Sequence, residues 1–315
     1  MNFKKIFGYV KETYQEWSGD DAFEKSSSIA YYSVFSLPGL LIIVVTAATL
    51  IWSPEYVEQV ITDEIGGAMG GDAAEQIQTM LQNSRQESSS TMALIVGIAT
   101  LVFGATGVFS QLQKSLNDAW EVELDPDAGI KQTVLSRVTA LGIILALAFL
   151  LIVSLLLSSV LAAINGWLEQ QLPGIPTFIF FVVNNLLSVG VLTALFALMF
   201  KVLPDADVEW RSVGWGALVT AVLFTIGKFL LGFYFGQSDP GATFGAAGSI
   251  ILIMLWVYYS SLIMLFGAEF TQVYARRHGH RLEPSEHARH NAEYRLKQQQ
   301  KAQGTIPEYP GMGDA

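Results

Sequence analysis

Long runs of apolar residues alternate with short polar segments along this chain, and six of the runs are long enough to cross a bilayer. About 20 helical residues, at about 1.5 Å each, span a hydrocarbon layer of about 30 Å. The pattern therefore predicts an all-α, polytopic membrane protein with six transmembrane helices. They lie at roughly 29–52, 91–110, 138–164, 178–200, 212–236 and 248–270.

Residues 1–28 are predicted to form a cytoplasmic interfacial segment with one amphipathic helix at 3–17. Its apolar residues recur at helical spacing and form a single stripe. They are Phe3, Ile6, Phe7, Val10, Tyr14 and Trp17. Two interpretations fit this stripe. The helix rests in the lipid headgroup region with its lysines near anionic lipid, or it packs on the cytoplasmic ends of the bundle.

The six spans form one transmembrane domain at 29–275, which contains an outer loop at 53–91. This loop opens with Ser53, Pro54 and Glu55, which supply a capping residue, a proline at the first helical position and an acid in the first turn. We therefore predict short amphipathic helices within the outer loop.

The distribution of charge predicts the orientation of the bundle. Sixteen of the 18 lysines and arginines lie on the side of the two termini, and the exceptions are Arg85 and Lys228. The positive-inside rule places both termini in the cytoplasm. The polar tail at 276–315 lies on this side. We predict a helix from Pro284 to about Gln303 and disorder beyond it.

Composition and motifs exclude several classes of chemistry. The chain has no cysteine, so disulfides, thiolate catalysis and cysteine-ligated metals are ruled out. No nucleophile elbow, P-loop or zinc-protease motif is present. All four histidines lie in the basic tail, at His278, His280, His287 and His290. We predict no enzyme activity, no metal, no cofactor and no nucleic-acid partner, and we expect membrane lipids as the partners.

Lys228 is the strongest candidate for a functional residue, because an ionisable side chain inside a membrane span is costly. At about 1.5 Å per residue it lies about 12 Å below the outer end of the fifth span. Polar groups of other spans reach a similar depth. They are Asn184, Asn185, Ser158, Trp256 and Tyr258. We predict a polar cavity that binds an anionic head group. The alternative is a structural lysine that snorkels to the interface.

Two further groups of residues have predicted roles. Pro38, Gly232 and Gly245 are candidates for a hinge or gate, because proline kinks a helix and glycine permits bending. Glu269 lies near the cytoplasmic end of the sixth span, at a depth that suits Arg211 or Arg137. We predict a structural ion pair of Glu269 with Arg211, and a proton-coupling site is the alternative.

Several short motifs together resemble the YihY/virulence factor BrkB family of bacterial inner-membrane proteins over roughly residues 20–275. The motifs are Ala30-Tyr31-Tyr32-Ser33, Leu116-Asn117 with Trp120, Leu203-Pro204-Asp205, Val208-Glu209-Trp210-Arg211, Gly227-Lys228, Trp256-Val257-Tyr258-Tyr259 and Gly267-Ala268-Glu269. The resemblance implies six spans with both ends cytoplasmic. Some members of the family have been linked to transport of envelope lipids or lipopolysaccharide precursors, and the family has also carried a ribonuclease label.

The expected function is therefore transport or flipping of an anionic amphipathic molecule, such as an envelope lipid. Its head group would pass the level of Lys228 while its chains stay in the bilayer. The alternative is a non-transport scaffold that organises envelope biogenesis through its outer loop and tail. Ribonuclease activity is disfavoured, because the sequence has neither a metal-binding cluster nor a soluble catalytic domain.

Overall fold

The computed structural model describes residues 3–49, 52–69, 74–75, 78–79, 91–125, 176–238, 248–279, 283–292, 294–296 and 299. The longer elements within these ranges are helices α1–α7 and short strands β1–β4. The helices are α1 (Phe3–Gly19), α2 (Ala22–Ala48), α3 (Pro54–Met69), α4 (Thr91–Ala119), α5 (Pro176–Val202), α6 (Trp210–Ser238) and α7 (Gly248–Arg277). The strands are β1 (Val122–Leu124), β2 (Ala206–Asp207), β3 (Glu283–Pro284) and β4 (Ala288–His290).

Three helices in the described part of the chain are long and apolar enough to cross a membrane. They contain the segments Asn185–Val202, Trp210–Tyr234 and Ile250–Arg277 and correspond to the fourth, fifth and sixth predicted spans. Residues 29–48 of the first predicted span lie in α2, and the second predicted span lies within α4. The third, at 138–164, lies outside the described residues, so the six-span topology stays a prediction.

The described residues group into two compact units. The first comprises residues of Met1–Asp20, Gln113–Val222 and Leu265–Ala315. The second comprises residues of Asp21–Leu112 and Leu223–Met264. Helices α4, α6 and α7 contribute residues to both units.

In the first unit, α6 and α7 approach closely because each helix has a glycine opposite a threonine of the other. A β-carbon at Gly216 would overlap the hydroxyl of Thr271 and lie 2.8 Å from its Cβ. A β-carbon at Gly267 would meet Thr220 in the same way, at 2.8 Å from its Cβ. Each threonine hydroxyl donates to a carbonyl four residues earlier in its own helix, at 2.7 Å. Each threonine hydroxyl thus has a hydrogen-bond acceptor in its own helix and needs no partner on the other helix.

Helix α1 packs against the end of α7 in the same unit. Arg276 donates to Glu12 at 2.6 Å and to Glu16 at 2.9 Å, and Arg277 Nε donates to Glu12 at 2.8 Å. The guanidinium of Arg277 also lies 4.5 Å from the ring centroid of Tyr9. We call these paired side chains the α1–α7 ion-pair cluster. The interpretation of α1 as a helix packed on the bundle is therefore correct for one of its sides.

Two small sheets correct the prediction of a purely helical fold. Strand β1 pairs antiparallel with β4, with Val122 opposite His290, and β2 pairs antiparallel with β3, with Asp207 opposite Glu283. The predicted tail helix from Pro284 is therefore wrong at its start, where residues 283–284 and 288–290 are strands. The physical reason is that backbone groups in the segments after α4 and α5 need hydrogen-bond partners, which the tail supplies.

In the second unit, small residues again allow close helix contacts. A β-carbon at Gly104 would lie 2.6 Å from the backbone nitrogen of Ser36, and one at Gly107 would lie 2.8 Å from Cγ of Tyr32. Helix α3 of the predicted outer loop starts where expected. The amide of Tyr56 lies 3.4 Å from the hydroxyl of Ser53, which confirms the predicted cap.

Replacing Gly216 with alanine should destabilise the protein by about 1–3 kcal/mol, the usual cost of overpacking. The new methyl group would overlap Thr271, whereas a β-carbon at Gly214 on the same helix would meet nothing within 4 Å. Gly214→Ala is therefore the matched control and should be neutral or slightly stabilising. Thermal unfolding in detergent measures the stabilities of both variants. Equal stabilities would contradict the close contact of Gly216 with Thr271.

Removing the Glu12 carboxylate with Glu12→Gln should lower the free energy of unfolding by about 3 kcal/mol, because Arg277 then loses its carboxylate partner and Arg276 keeps only Glu16. The Glu12 side chain is only 10% exposed in this cluster. Asp207→Asn is the comparison, because it breaks an ion pair whose acid is 77% exposed. It should cost less than about 1 kcal/mol. Chemical denaturation measures the free energy of unfolding of both variants and so distinguishes the loss of a buried ion pair from the loss of an exposed one.

Candidate functional site

Lys228 lies on the protein-facing side of α6 and is half-buried. The exposed apolar residues of this part of α6 form one stripe, made of Ile226, Phe229, Leu230 and Phe233. Successive helical residues are about 100° apart. This spacing places Lys228 on the same side of α6 as the buried residue Ala221, away from the stripe. Lys228 therefore does not share the surface of α6 that carries these exposed apolar side chains.

Aromatic side chains of α7 lie beside this part of α6. Phe224 and Trp256 form an edge-to-face ring contact with centroids 6.2 Å apart. Tyr259 packs directly over Gly227, the residue before Lys228. Tyr258, which the sequence analysis selected, is half-buried on the same helix. The structure thus adds Tyr259 to the candidate residues. The signal in the sequence is the pair of adjacent tyrosines, Tyr258 and Tyr259, which face directions about 100° apart on a helix. Selecting one of them therefore leaves the other as a second candidate.

The remaining residues of the predicted cavity belong to the first unit or lie outside the described residues. Asn185 is half-buried on α5 and belongs to the first unit, whereas Lys228, Trp256 and Tyr258 belong to the second. The side chain of Asn184 and the whole of Ser158 lie outside the described residues. The cavity therefore stays a prediction, and its described members are those on α6 and α7.

The predicted hinge residues lie in regular helix where they are described. Helix α2 continues without a break through Pro38, and Gly232 is half-buried within α6. Gly245 lies outside the described residues. The hinge role of these three residues is untested.

Glu269 and Arg211 lie in different surroundings. Glu269 is buried, with 3% of its surface exposed, whereas Arg211 is exposed at the start of α6. The ion pair of Glu269 with Arg211 stays a prediction. Arg137, the other candidate partner of Glu269, lies outside the described residues.

Asp205 is the centre of a polar network that the sequence analysis did not predict. Its carboxylate accepts hydrogen bonds from Asn117 at 2.8 Å and from Gln113 at 3.2 Å. Its backbone N–H donates to the Asn117 side chain at 2.8 Å, so Asp205 and Asn117 bind each other in both directions. The Ser285 amide donates to the Asp205 carbonyl at 3.0 Å, which adds the tail to the network. Burial raises the pKa of Asp205, and the hydrogen bond from Asn117 opposes that rise.

A shallow, open depression lies between the end of α5 and the start of α6. Its lining residues are Lys201, Asp207, Val208, Glu209, Trp210, Arg211 and Glu283. Lys201 pairs with Asp207 and also donates to the carbonyl of Val208 at 2.7 Å. Charges of both signs line the depression. In the described part of the chain, no three side chains of histidine, aspartate or glutamate are placed to hold a metal ion.

Comparison with known proteins decides the family. The family model for virulence factor BrkB matches residues 13–292, which is most of the chain. The chain belongs to the BrkB family. The match extends beyond the resemblance at 20–275 and includes the end of α1 with Glu16, the two arginines Arg276 and Arg277, and strands β3 and β4.

Curated relatives of this BrkB family chain carry two kinds of name. A ribonuclease-like protein, YfkH of Bacillus subtilis, is 26% identical over 274 residues, covering 85% of this chain and 96% of its own. A UPF0761 membrane protein of Idiomarina loihiensis is 25% identical over 271 residues, covering 85% of this chain and 91% of its own. Another, of Alteromonas mediterranea, is 30% identical over 177 residues, covering 56% of this chain and 57% of its own. No solved structure matches the chain.

The raised pKa of Asp205 predicts a pH-dependent contribution to the stability of this BrkB family protein. Its folded-state pKa lies above the unfolded value of 3.8, so its contribution is fully present below that value. The contribution is lost as the pH rises through the folded-state pKa. The stability of the wild type relative to Asp205→Asn should therefore fall as the pH rises above the unfolded value of 3.8 and through the folded-state pKa, because only the wild type titrates at this position.

Thermal unfolding of both proteins across this pH range is the measurement. Asn117→Ala should move the decline to higher pH, because it removes the hydrogen bond that favours the ionised form of Asp205. A pH-independent difference between wild type and Asp205→Asn would contradict the assignment.

Proposed function

We propose that this protein is a non-enzymatic transporter or flippase of an anionic amphipathic lipid, placed in the bacterial inner membrane with both termini in the cytoplasm. One observation carries the proposal. Lys228 lies within an apolar span and on the protein-facing side of α6. A lysine that served only as an anchor at the lipid surface would be expected on the exposed stripe.

The chemistry of the neighbouring side chains supports a head-group site. A lysine ammonium removed from bulk water attracts phosphate or carboxylate strongly, because the local dielectric constant is low. Trp256 and Tyr258 on α7 are half-buried in the same unit, and Tyr259 lies at Gly227. Tyrosine and tryptophan combine an apolar ring with a hydrogen-bond donor, which suits the boundary between a head group and its chains.

The surface of α6 suits the other half of an amphipathic molecule. The stripe of exposed apolar side chains runs along the same turns as Lys228. In our proposal the acyl chains of the transported lipid remain in the bilayer beside this stripe while the head group passes Lys228. Bending at Pro38, Gly232 and Gly245 would supply the motion.

The test is a comparison of four reconstituted proteins: wild type, Lys228→Met, Lys228→Arg and Lys114→Met. Lys114 is exposed on α4 and serves as the matched control for loss of a lysine. Transbilayer movement of a fluorescent phosphatidylglycerol in proteoliposomes should fall at least about tenfold in Lys228→Met, as when an interaction of about 1.4 kcal/mol is lost. Lys228→Arg should retain most of the activity, and Lys114→Met all of it.

Mass spectrometry of co-purified lipids gives a second, independent measurement. We expect anionic lipid to be depleted in Lys228→Met and retained in both Lys228→Arg and Lys114→Met. Equal lipid movement and equal lipid content in a normally folded Lys228→Met protein would refute the proposal. That result would favour a scaffold that organises envelope biogenesis without transport.

A further inference from the structure

Helix α1 has three sides, and the protein itself covers one of them. The covered side comprises Tyr9, Glu12, Thr13 and Glu16. Thr13 is fully buried, and the two acids bind the arginines at the end of α7. The ring of Tyr9 also stacks on that of Tyr274, with centroids 6.3 Å apart. This side therefore fastens α1 to the last turns of α7.

A second side of α1 is apolar and exposed. Phe7, Val10 and Tyr14 are 64%, 48% and 55% exposed, and they lie three and four residues apart. At about 100° per residue they form a stripe that is turned away from the covered side. Three large apolar side chains in a row, left in water, would be an unusual feature for a soluble surface.

The third side is polar, and the ion-pair cluster changes the charge that α1 presents. The only acids in α1 are Glu12 and Glu16, and both are paired with arginines of α7. The helix also carries Lys4, Lys5 and Lys11, of which Lys11 is exposed. With the acids neutralised, the charges that remain on α1 are positive, and they complement an anionic surface.

We propose that the apolar side of α1, made of Phe7, Val10 and Tyr14, lies against lipid, and that the lysines of α1 select anionic phospholipids there. The position of the helix supports lipid as the partner. Helix α1 contacts the last turns of α7, and α7 is long and apolar enough to cross a membrane. An amphipathic helix fastened to the end of such a span meets the membrane surface. This lipid contact does not depend on the proposed transport through Lys228.

The first experiment measures what the apolar side touches. The chain contains no cysteine, so a single introduced cysteine gives one spin label. We compare Val10→Cys with Gln15→Cys in the full-length protein, in nanodiscs of phosphatidylcholine with 30% phosphatidylglycerol. Gln15 is exposed on the polar side and is the control. The label at position 10 should be more accessible to oxygen than to a water-soluble nickel chelate, and the label at 15 should show the reverse.

The second experiment measures selectivity for anionic lipid. A fluorophore attached at position 10 transfers energy to dilute, fluorescently labelled phosphatidylglycerol or phosphatidylcholine in the nanodisc. The efficiency of this transfer measures how close each labelled lipid lies to position 10. We expect phosphatidylglycerol to be enriched at least about fivefold, the factor that one lysine contributes near an anionic surface. The triple variant Lys4→Gln, Lys5→Gln and Lys11→Gln should lose this enrichment, and Lys114→Gln, outside α1, should keep it.

Three results would overturn the proposal. A label at position 10 with the same water accessibility as one at 15 would show that this side does not touch lipid. Protection of position 10 from both oxygen and the nickel chelate would indicate a protein partner instead. Enrichment that survives the triple lysine variant would show that the lysines of α1 do not select the anionic lipid. Because none of these readouts involves lipid movement across the bilayer, they are independent of the transport assay.

Discussion

The close contact between α6 and α7 is the interaction on which the rest of the described structure depends. Lipid chains are as apolar as leucine, so two helices in a bilayer gain little from burying apolar surface against each other. Shape complementarity and satisfied polar groups have to hold them instead. Gly216 and Gly267 provide space for Thr271 and Thr220, and both hydroxyls bond within their own helices. These glycine–threonine contacts set the register of α6 against α7.

A different chemistry holds the segments beyond the spans. The pair of Asp205 with Asn117 and the two short sheets connect residues that are far apart in the chain. So does the α1–α7 ion-pair cluster. These are polar interactions, and they suit segments beyond the spans, where water can reach the surface of the protein. They also give the tail a structural role, because β3 and β4 complete sheets that β1 and β2 cannot form alone.

The sequence predicted features that depend on local patterns. The apolar runs located α5, α6 and α7, and the Ser53 motif located the start of α3, because hydropathy and capping are properties of neighbouring residues. The periodic spacing also located helix α1, although the sequence could not decide between lipid and protein as the neighbour of its apolar stripe. The structure shows that Tyr9 and Glu12, which lie beside the stripe, contact α7, and that Trp17 at the end of the stripe does so too.

Other features could not be predicted, because they depend on which distant residues meet. Strands of two or three residues carry no periodic pattern, so the tail was predicted as helix. Asp205 and Gln113 are 92 positions apart, and no local signal joins them. The choice between Tyr258 and Tyr259 depends on the rotation of α7 against α6, which Gly227 helps to determine. By itself, then, the sequence determined which segments are long and apolar enough to cross a bilayer, since that depends on the free energy of transfer of each segment. Only the tertiary structure decided which side of each helix faces protein and which charges are neutralised, because those follow from contacts between segments.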